Sequence, residues 1–211
     1  AHLSIPANLK FMKLTFLPLL FFTGSLLAGL PLDLSGQSQT YFGKKEQVPL
    51  IPRKGERIRI IIVSDATNEI DDVWAISLAV MFPERFEILG FVGSNYDHTF
   101  SGVGPASIGK SVQEIHTILE KAGLSGNYPV FRGGHPMRYE FEPSEAEGID
   151  FIVEKAEEST PDNPLWVVGL GCPTDLASAY LQNPAIADKV IMFWHARTEN
   201  TWPYRAHNYN I

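Results

Sequence analysis

The sequence lacks the features that mark several classes of protein. It has one cysteine, Cys172, so no internal disulfide can form, and the fold must depend on its core with or without a metal. Its 17 Lys plus Arg residues form no dense block and are outnumbered by 24 Asp plus Glu, which gives a net charge of −7. This balance argues against a nucleic-acid partner, because affinity for nucleic acid comes mainly from neutralising phosphates. The partner indicated is a small or neutral molecule.

The sequence also has no uninterrupted apolar run long enough to cross a membrane. The most apolar segment, residues 12–27, begins with a methionine and Lys13 and is broken by Pro18. A spanning helix needs about 20 apolar residues, whereas a secretory signal is shorter and starts with a basic residue. We therefore expect a secretory signal that is cleaved between Ala28 and Ser38. The protein should be secreted or periplasmic, with no stable membrane anchor.

Composition divides the chain into three parts. Residues 1–38 hold the predicted signal and the residues upstream of it, residues 39–56 read as a polar linker, and residues 57–211 form the folded domain. A secretory signal normally begins at its initiator methionine, but eleven residues precede Met12 here. We expect these residues to be translated from sequence upstream of the true start. Ile211 is expected to be an artificial end. The overall content of 45% hydrophobic residues is typical of a globular protein.

Apolar spacing from residue 57 onward predicts five strands that alternate with four helices. Near-continuous apolar strands separated by helices indicate a mainly parallel sheet with helices on both faces, so the predicted class is a Rossmann-like α/β fold. The predicted strands are 57–64, 86–92, 129–131, 165–168 and 190–194, and the predicted helices are 71–82, 108–122, 145–157 and 174–181.

The loop after the first predicted strand, residues 64–72, is unusually acidic. Asp65, Glu69, Asp71 and Asp72 fall within eight residues, at the end of a strand where open parallel sheets bind ligands. Crowded carboxylates raise one another's pKa and cost stability unless a cation or ordered donors compensate. Ca²⁺ or Mg²⁺ fits such oxygen ligands, whereas Zn²⁺ would prefer the His or Cys side chains that the loop lacks.

Two other interpretations of this loop are open. Asp71 and Asp72 could simply stabilise the start of the next helix, an effect of about 0.3 to 1 kcal/mol per acid, but this leaves Asp65 and Asn68 without a role. Metal-dependent phosphatases of the HAD type and receiver domains also place acids here. The HAD pattern requires an aspartate where this sequence has Thr67.

Other chemistry-bearing residues carry weaker signals. Cys172 follows an apolar strand, where a nucleophile could stand, but a small turn residue is the simpler interpretation. The six histidines show no spacing typical of metal ligands. His98 lies in the loop after the second strand and is a candidate for lining a pocket.

The stretch from Asp65 to Asp72 resembles the first loop, D-x-D-P-G-x-D-D, of the inosine-uridine preferring nucleoside hydrolase superfamily. Its N-E-x-D-D pattern, residues 68–72, is similar to that of a divergent secreted branch of the superfamily. Later segments resemble family segments in the same order, and together they form a fairly specific signal. These segments are 86–95, 127–134, 166–180, 183–184 and 208–211.

The resemblance implies hydrolysis of an N-glycosidic bond in a ribonucleoside or related ribosyl compound through an oxocarbenium-like transition state. It implies Ca²⁺ as the cofactor, with Mg²⁺ as the alternative, and a small-molecule nucleoside or glycoside as the partner. Whether the chain forms a homo-oligomer stays open. The implied metal ligands are Asp65, Asp72 and the Thr174 backbone carbonyl; the catalytic candidates are Asp65, Glu69 and Asp71; and the substrate-binding candidates are Asp71, Asn95, Asn200, Asn208 and Asn210.

The sequence departs from the family at important positions. Thr67 replaces an aspartate that binds calcium and takes the proton from water, and a neutral hydroxyl cannot do this at neutral pH. Asp65 or Glu69 could substitute for it. Asn208 replaces a glutamate that binds ribose. The family's C-terminal calcium-binding aspartate and leaving-group histidine have no counterpart, so we expect a fragment of a longer enzyme or a molecule that cannot complete the site.

A rival hypothesis is a secreted nucleoside-binding or sugar-binding protein of the same superfamily that has lost turnover. Thr67 favours this rival, whereas Asp71, Asp72, Asn95 and Asn210 favour the enzyme. A metal phosphatase is the third candidate.

Overall fold

The computed structural model describes residues 52–96 and 104–195, together with the backbone of two short strands before them. The chain divides into two units, residues 1–48 and 49–211. In the first unit, β1 (Gln39–Tyr41) pairs antiparallel with β2 (Lys44–Glu46), inside the segment predicted as a linker. The predicted secretory signal lies outside the described residues. No helix in the described ranges has the length and apolar character needed to cross a membrane.

The second unit is built on a five-stranded sheet in which all paired strands are parallel. This confirms the predicted Rossmann-like α/β fold class. Each predicted strand is present, and its ends differ from the predicted ones by at most about one residue. The strands are β3 (Ile58–Ser64), β4 (Phe86–Gly93), β5 (Val130–Arg132), β6 (Leu165–Gly169) and β7 (Val190–Trp194).

In the described ranges, four α-helices connect these strands, close to the predicted positions. They are α1 (Ile70–Met81), α2 (Ser107–Lys121), α3 (Glu147–Glu157) and α4 (Thr174–Gln182). The end of α2 shows why the prediction succeeded. Gly123 adopts a φ of 73°, and the N–H of Leu124 donates to the carbonyl of Leu119 at 2.8 Å. This is the Schellman arrangement, which a glycine permits at the end of a helix.

The core has two layers because alternate side chains of β3 point to opposite faces of the sheet. Ile60 and Ile62 pack in the cluster formed with α1 and α2, whereas Ile61 and Val63 pack in the cluster formed with α3 and α4. A register shift against β4 falls between Ile60 and Ile61. Each buried side chain of this size contributes about 1.5 to 3 kcal/mol relative to an exposed one.

The strand order, β5-β4-β3-β6-β7, contains a reversal of direction. The chain proceeds from β3 through β4 to β5 and then returns to place β6 on the other side of β3. In open parallel sheets, the two loops at such a reversal leave in opposite directions and open a crevice where ligands bind. The acidic loop follows β3 and therefore lies at this crevice.

Candidate functional site

Asp65 directly follows β3 and is buried. It forms a tight turn with Asn68, whose backbone N–H donates to the Asp65 carbonyl at 2.7 Å. The Asn68 side-chain amide donates to Asp65 Oδ2 at 3.0 Å. The turn therefore directs the Asp65 carboxyl into the protein and explains the presence of Asn68.

Asp72 lies in the first turn of α1, where it is also buried, and its carboxyl interacts with that of Asp65. Burial raises the pKa of Asp65 to about 8, and the neighbouring Asp72 adds to this rise. Burial also raises the pKa of Asp72. The salt bridges of the described residues join neither carboxyl to a Lys or Arg. A cation placed between them would allow both to ionise.

The other two acids of the loop are exposed. Glu69 immediately precedes α1, and its side chain makes no capping hydrogen bond to the helix. The Asp71 side chain is 61% exposed, and its Oδ2 lies 4.0 Å from Nε2 of His195, which follows β7. Within the described ranges, no three His, Cys, Asp or Glu side chains come together as a metal site. A cation bound by Asp65 and Asp72 would thus need further oxygens from the backbone, from water or from substrate.

Thr67 stands where the resemblance to the nucleoside hydrolases would place an aspartate. Its hydroxyl forms a hydrogen bond with Tyr96, a residue that the sequence did not indicate. Its Oγ1 lies 2.6 Å from the hydroxyl of Tyr96, and either atom could be the donor. Tyr96 is buried. Its position directly after Asn95 was the only signal in the sequence that it belongs to the site.

Asn95 is buried at the end of β4, where it links three loops. Its side-chain amide donates to the carbonyl of Gly134, after β5, at 2.9 Å. Its own backbone carbonyl lies 3.3 Å from the thiol of Cys172, after β6. The same thiol lies 3.3 Å from Oγ1 of Thr174, the first residue of α4. Asn95 and Thr174 are therefore close neighbours, as the prediction of a common site requires.

The loop after β6 also approaches Asp65 closely. A Cβ added to Gly171 would overlap Ser94 Oγ and lie 3.0 Å from Asp65 Cγ. Ser94 Oγ is buried and has no hydrogen-bond partner among the described residues. An unpartnered buried hydroxyl near the Asp65 carboxyl fits a site for a hard, oxygen-preferring cation.

Asp175, in the first turn of α4, is fully buried and was missed by the sequence analysis. The N–H of Gly134 donates to its Oδ1 at 2.6 Å, whereas its Oδ2 has no partner in the described part of the chain. Burial raises the pKa of Asp175 to about 7, although the Gly134 N–H partly opposes this rise.

The structure thus brings together the predicted residues Asp65, Asp72, Asn95 and Thr174, which lie on the loops after β3 and β4 or in the first turns of α1 and α4. Glu69 and Asp71 lie at the exposed start of α1. The remaining candidates fall outside the described residues; they are His98, Asn200, Asn208 and Asn210.

No protein-family model matches the chain, and no curated protein matches it either. Among solved structures, it is similar to a plant nucleoside hydrolase, with a TM-score of 0.51 and 21% identity over 68% of this chain and 49% of the other. It is also similar to a purine-preferring ribonucleoside hydrolase from Gardnerella vaginalis, with a TM-score of 0.50 and 19% identity over 66% of this chain and 49% of the other. The chain has the nucleoside hydrolase-like fold and spans about half the length of these two structures.

Proposed function

We propose that the protein hydrolyses the N-glycosidic bond of a ribonucleoside or a related ribosyl compound, and that the reaction depends on Ca²⁺ or Mg²⁺. The observation that carries the proposal is the buried Asp65–Asp72 carboxyl pair, placed at the sheet crevice of a nucleoside hydrolase-like fold. A protein has little reason to bury two like charges together unless a ligand compensates them.

The residues around the pair suit the proposed cation. Asp65 and Asp72 would hold it through their carboxylates, and the resemblance adds the backbone carbonyl of Thr174. These are hard oxygen ligands, which Ca²⁺ and Mg²⁺ prefer. When bound, the cation would lower the pKa of a water molecule and so make that water a better nucleophile toward the anomeric carbon.

The protein's own residues would hold the sugar. Asn95 presents an amide that is fixed on one side by Gly134, so its remaining donor and acceptor can meet a ribose hydroxyl. The exposed carboxylate of Asp71 would accept from a second hydroxyl. By resemblance, Asn200, Asn208 and Asn210 would complete the sugar site.

The base that takes the proton from water is proposed to be Glu69. The Thr67 hydroxyl cannot serve, because it is neutral at neutral pH and is already bonded to Tyr96. Asp65 is the other candidate, but one of its oxygens accepts from Asn68 and the group would also hold the cation. Glu69 is exposed and makes no capping hydrogen bond, so it is available to a water molecule at the crevice.

The rival function is nucleoside binding without turnover. The Thr67–Tyr96 hydrogen bond favours this rival, because it occupies the position of the family's proton acceptor with two neutral groups. Incubation of the full-length gene product with a panel of nucleosides, in Ca²⁺, in Mg²⁺ and in chelator, would decide between the two. Release of the nucleobase from a nucleoside, seen only when the cation is present, supports the enzyme. Cation-dependent binding without released base supports the binder, and phosphate released from an aryl phosphate supports a phosphatase.

Export is a further part of the proposal. Residues 12–27 have the basic start and short apolar run of a secretory signal. N-terminal sequencing of protein collected outside the cytoplasm should begin between Ala28 and Ser38. Retention of residues 12–27 in the mature protein would contradict export by this route.

A further inference from the structure

We propose that Asp175 is a positioning residue, which acts through Gly134 to set the orientation of the Asn95 side-chain amide. The part of this inference that concerns a sugar hydroxyl rests on the proposed function. The positioning itself is a property of the protein alone.

The inference starts from two hydrogen bonds that hold opposite sides of Gly134. Its N–H donates to Asp175 Oδ1 at 2.6 Å, and its carbonyl accepts from Asn95 Nδ2 at 2.9 Å. All three residues are buried. The first turn of α4 is thereby connected through the loop after β5 to the end of β4, so displacement of the Asp175 carboxyl would displace the partner of Asn95.

Two adjacent glycines fit the crowded space in which the backbone approaches Asp175. A Cβ at Gly133 would lie 2.7 Å from both carboxyl oxygens of Asp175, which is too short for a real contact. A Cβ at Gly134 would lie 2.8 Å from Cβ of Ser144 and 3.0 Å from Cδ1 of Ile149. The space beside the carboxyl therefore requires a glycine at position 133, whereas the crowding at Gly134 comes from Ser144 and Ile149.

The hydrogen bond to Gly134 also determines which end of the Asn95 amide faces the crevice. A backbone carbonyl only accepts, so the amide atom that meets it must be the nitrogen. A flipped amide would place two oxygen acceptors against each other. The Asn95 oxygen is consequently directed away from Gly134 and is suited to accept a hydrogen bond from a sugar hydroxyl.

A simpler role for Asp175 would be to stabilise the start of α4 as an acid in its first turn. That effect does not require a buried side chain, because exposed acids provide it at about 0.3 to 1 kcal/mol. Burying a carboxyl has a cost that only specific hydrogen bonds offset. The bond to Gly134 supplies a reason for burial that the helix alone does not.

The positioning is tested by NMR of the full-length protein, without any ligand. A trans-hydrogen-bond coupling between the Gly134 amide nitrogen and the Asp175 carboxyl carbon is expected in the wild-type protein. The Asn95 side-chain amide, identified by comparison with Asn95→Ala, should exchange at least about tenfold faster in Asp175→Leu, because its acceptor is no longer fixed. Asp175→Asn should keep the slow exchange, since its amide oxygen can accept from Gly134.

Absence of the coupling in the wild-type protein would overturn the proposal, even if Asp175→Leu fails to fold. Unchanged Asn95 exchange in a folded Asp175→Leu protein would also overturn it. Asp150→Leu is the matched control, because Asp150 is an exposed acid in the first turn of α3. This control should leave Asn95 exchange unchanged.

Nucleoside hydrolysis gives a second, separate test. Asp175→Leu should lower kcat/KM by about tenfold or more while the cooperative melting transition remains, and Asp175→Asn should restore most of the loss. If the wild-type protein cleaves no nucleoside, the proposed function fails while the NMR result still decides the positioning. If cleavage is normal in a folded Asp175→Leu protein, the positioning role fails while the proposed function stands.

Discussion

The hydroxyl of Thr67 lies 2.6 Å from the hydroxyl of the buried Tyr96. Thr67 stands where the family that the sequence resembles has an aspartate. The variant Thr67→Asp should therefore add a fifth carboxylate to the loop that already holds Asp65, Glu69, Asp71 and Asp72. We expect tighter Ca²⁺ binding, by about tenfold, and lower stability in chelator because a further like charge is added to the crowded loop. Calorimetric titration and thermal melting measure both effects. Tyr96→Phe, which removes the phenol partner without adding charge, should not raise Ca²⁺ affinity.

Asp72→Ala should abolish the rise in Tm that Ca²⁺ produces. A ligand that binds only the folded state stabilises it by mass action, by about 2.7 kcal/mol at a concentration one hundred times its Kd. Differential scanning calorimetry with and without Ca²⁺ measures the response. The neighbouring variant Asp71→Ala is the matched control and should retain the response, because the Asp71 side chain is exposed. An intact Ca²⁺ response in Asp72→Ala would contradict the cation site.

Glu69→Gln should abolish turnover while nucleoside affinity is preserved. The amide keeps the size of the side chain but cannot take a proton from water. Single-turnover kinetics and equilibrium binding separate these two effects. Full activity in this variant would transfer the role of base to Asp65 or to the cation.

The metal-free protein should lose stability as the pH rises. The pKa of Asp65 is raised from 3.8 in the unfolded chain to about 8 in the folded protein. Folding therefore favours the neutral form of the Asp65 carboxyl. The resulting contribution to the free energy of unfolding is fully present below pH 4 and is lost as the pH rises through about 8. The slope for one proton is at most about 1.4 kcal/mol per pH unit.

Urea titrations in chelator between pH 4 and pH 9 measure this dependence. Asp65→Asn, which cannot ionise, should flatten the profile, and saturating Ca²⁺ should reverse the loss by favouring the ionised pair. A profile that is flat in the wild-type protein would show that the carboxyl pair is not buried as described.

Cys172 should react slowly with thiol reagents in the folded protein. Burial raises the pKa of its thiol to about 11, and the thiolate is the reactive form. A disulfide reagent at pH 8 should therefore label the unfolded chain much faster than the folded one. Rapid labelling of the folded protein would restore the interpretation of Cys172 as a nucleophile.

The sequence predicted the sheet and the helices well because their signal is local. Each strand from β3 to β7 is a short apolar run, and each helix has apolar residues at helical spacing. The acidic loop was likewise visible, and so was its position at the end of a strand. The sequence of a loop does not show which of its side chains are buried, however. Only the structure shows that Asp65 and Asp72 are buried whereas Glu69 and Asp71 are exposed.

Asp175 could not be recognised from its neighbours in the sequence. Its partner is the backbone N–H of Gly134, 41 residues away in the sequence. Every residue except proline has such a group, so the pattern of side chains does not indicate which one binds Asp175. The proximity of His195 to Asp71 was hidden for a similar reason, since it depends on the placement of β7 beside β6. Long-range contacts of this kind follow from strand order, which apolar spacing alone does not give.

The reversal of strand order beside β3 has an evolutionary consequence. The segments that leave β3 and β6 contribute side chains to the crevice, while the pairing of the two strands uses only their backbones. Insertions or substitutions in these segments can accumulate without disturbing the ladder beneath them. Descendants of this chain could thus acquire new substrate preferences while inheriting an unaltered scaffold.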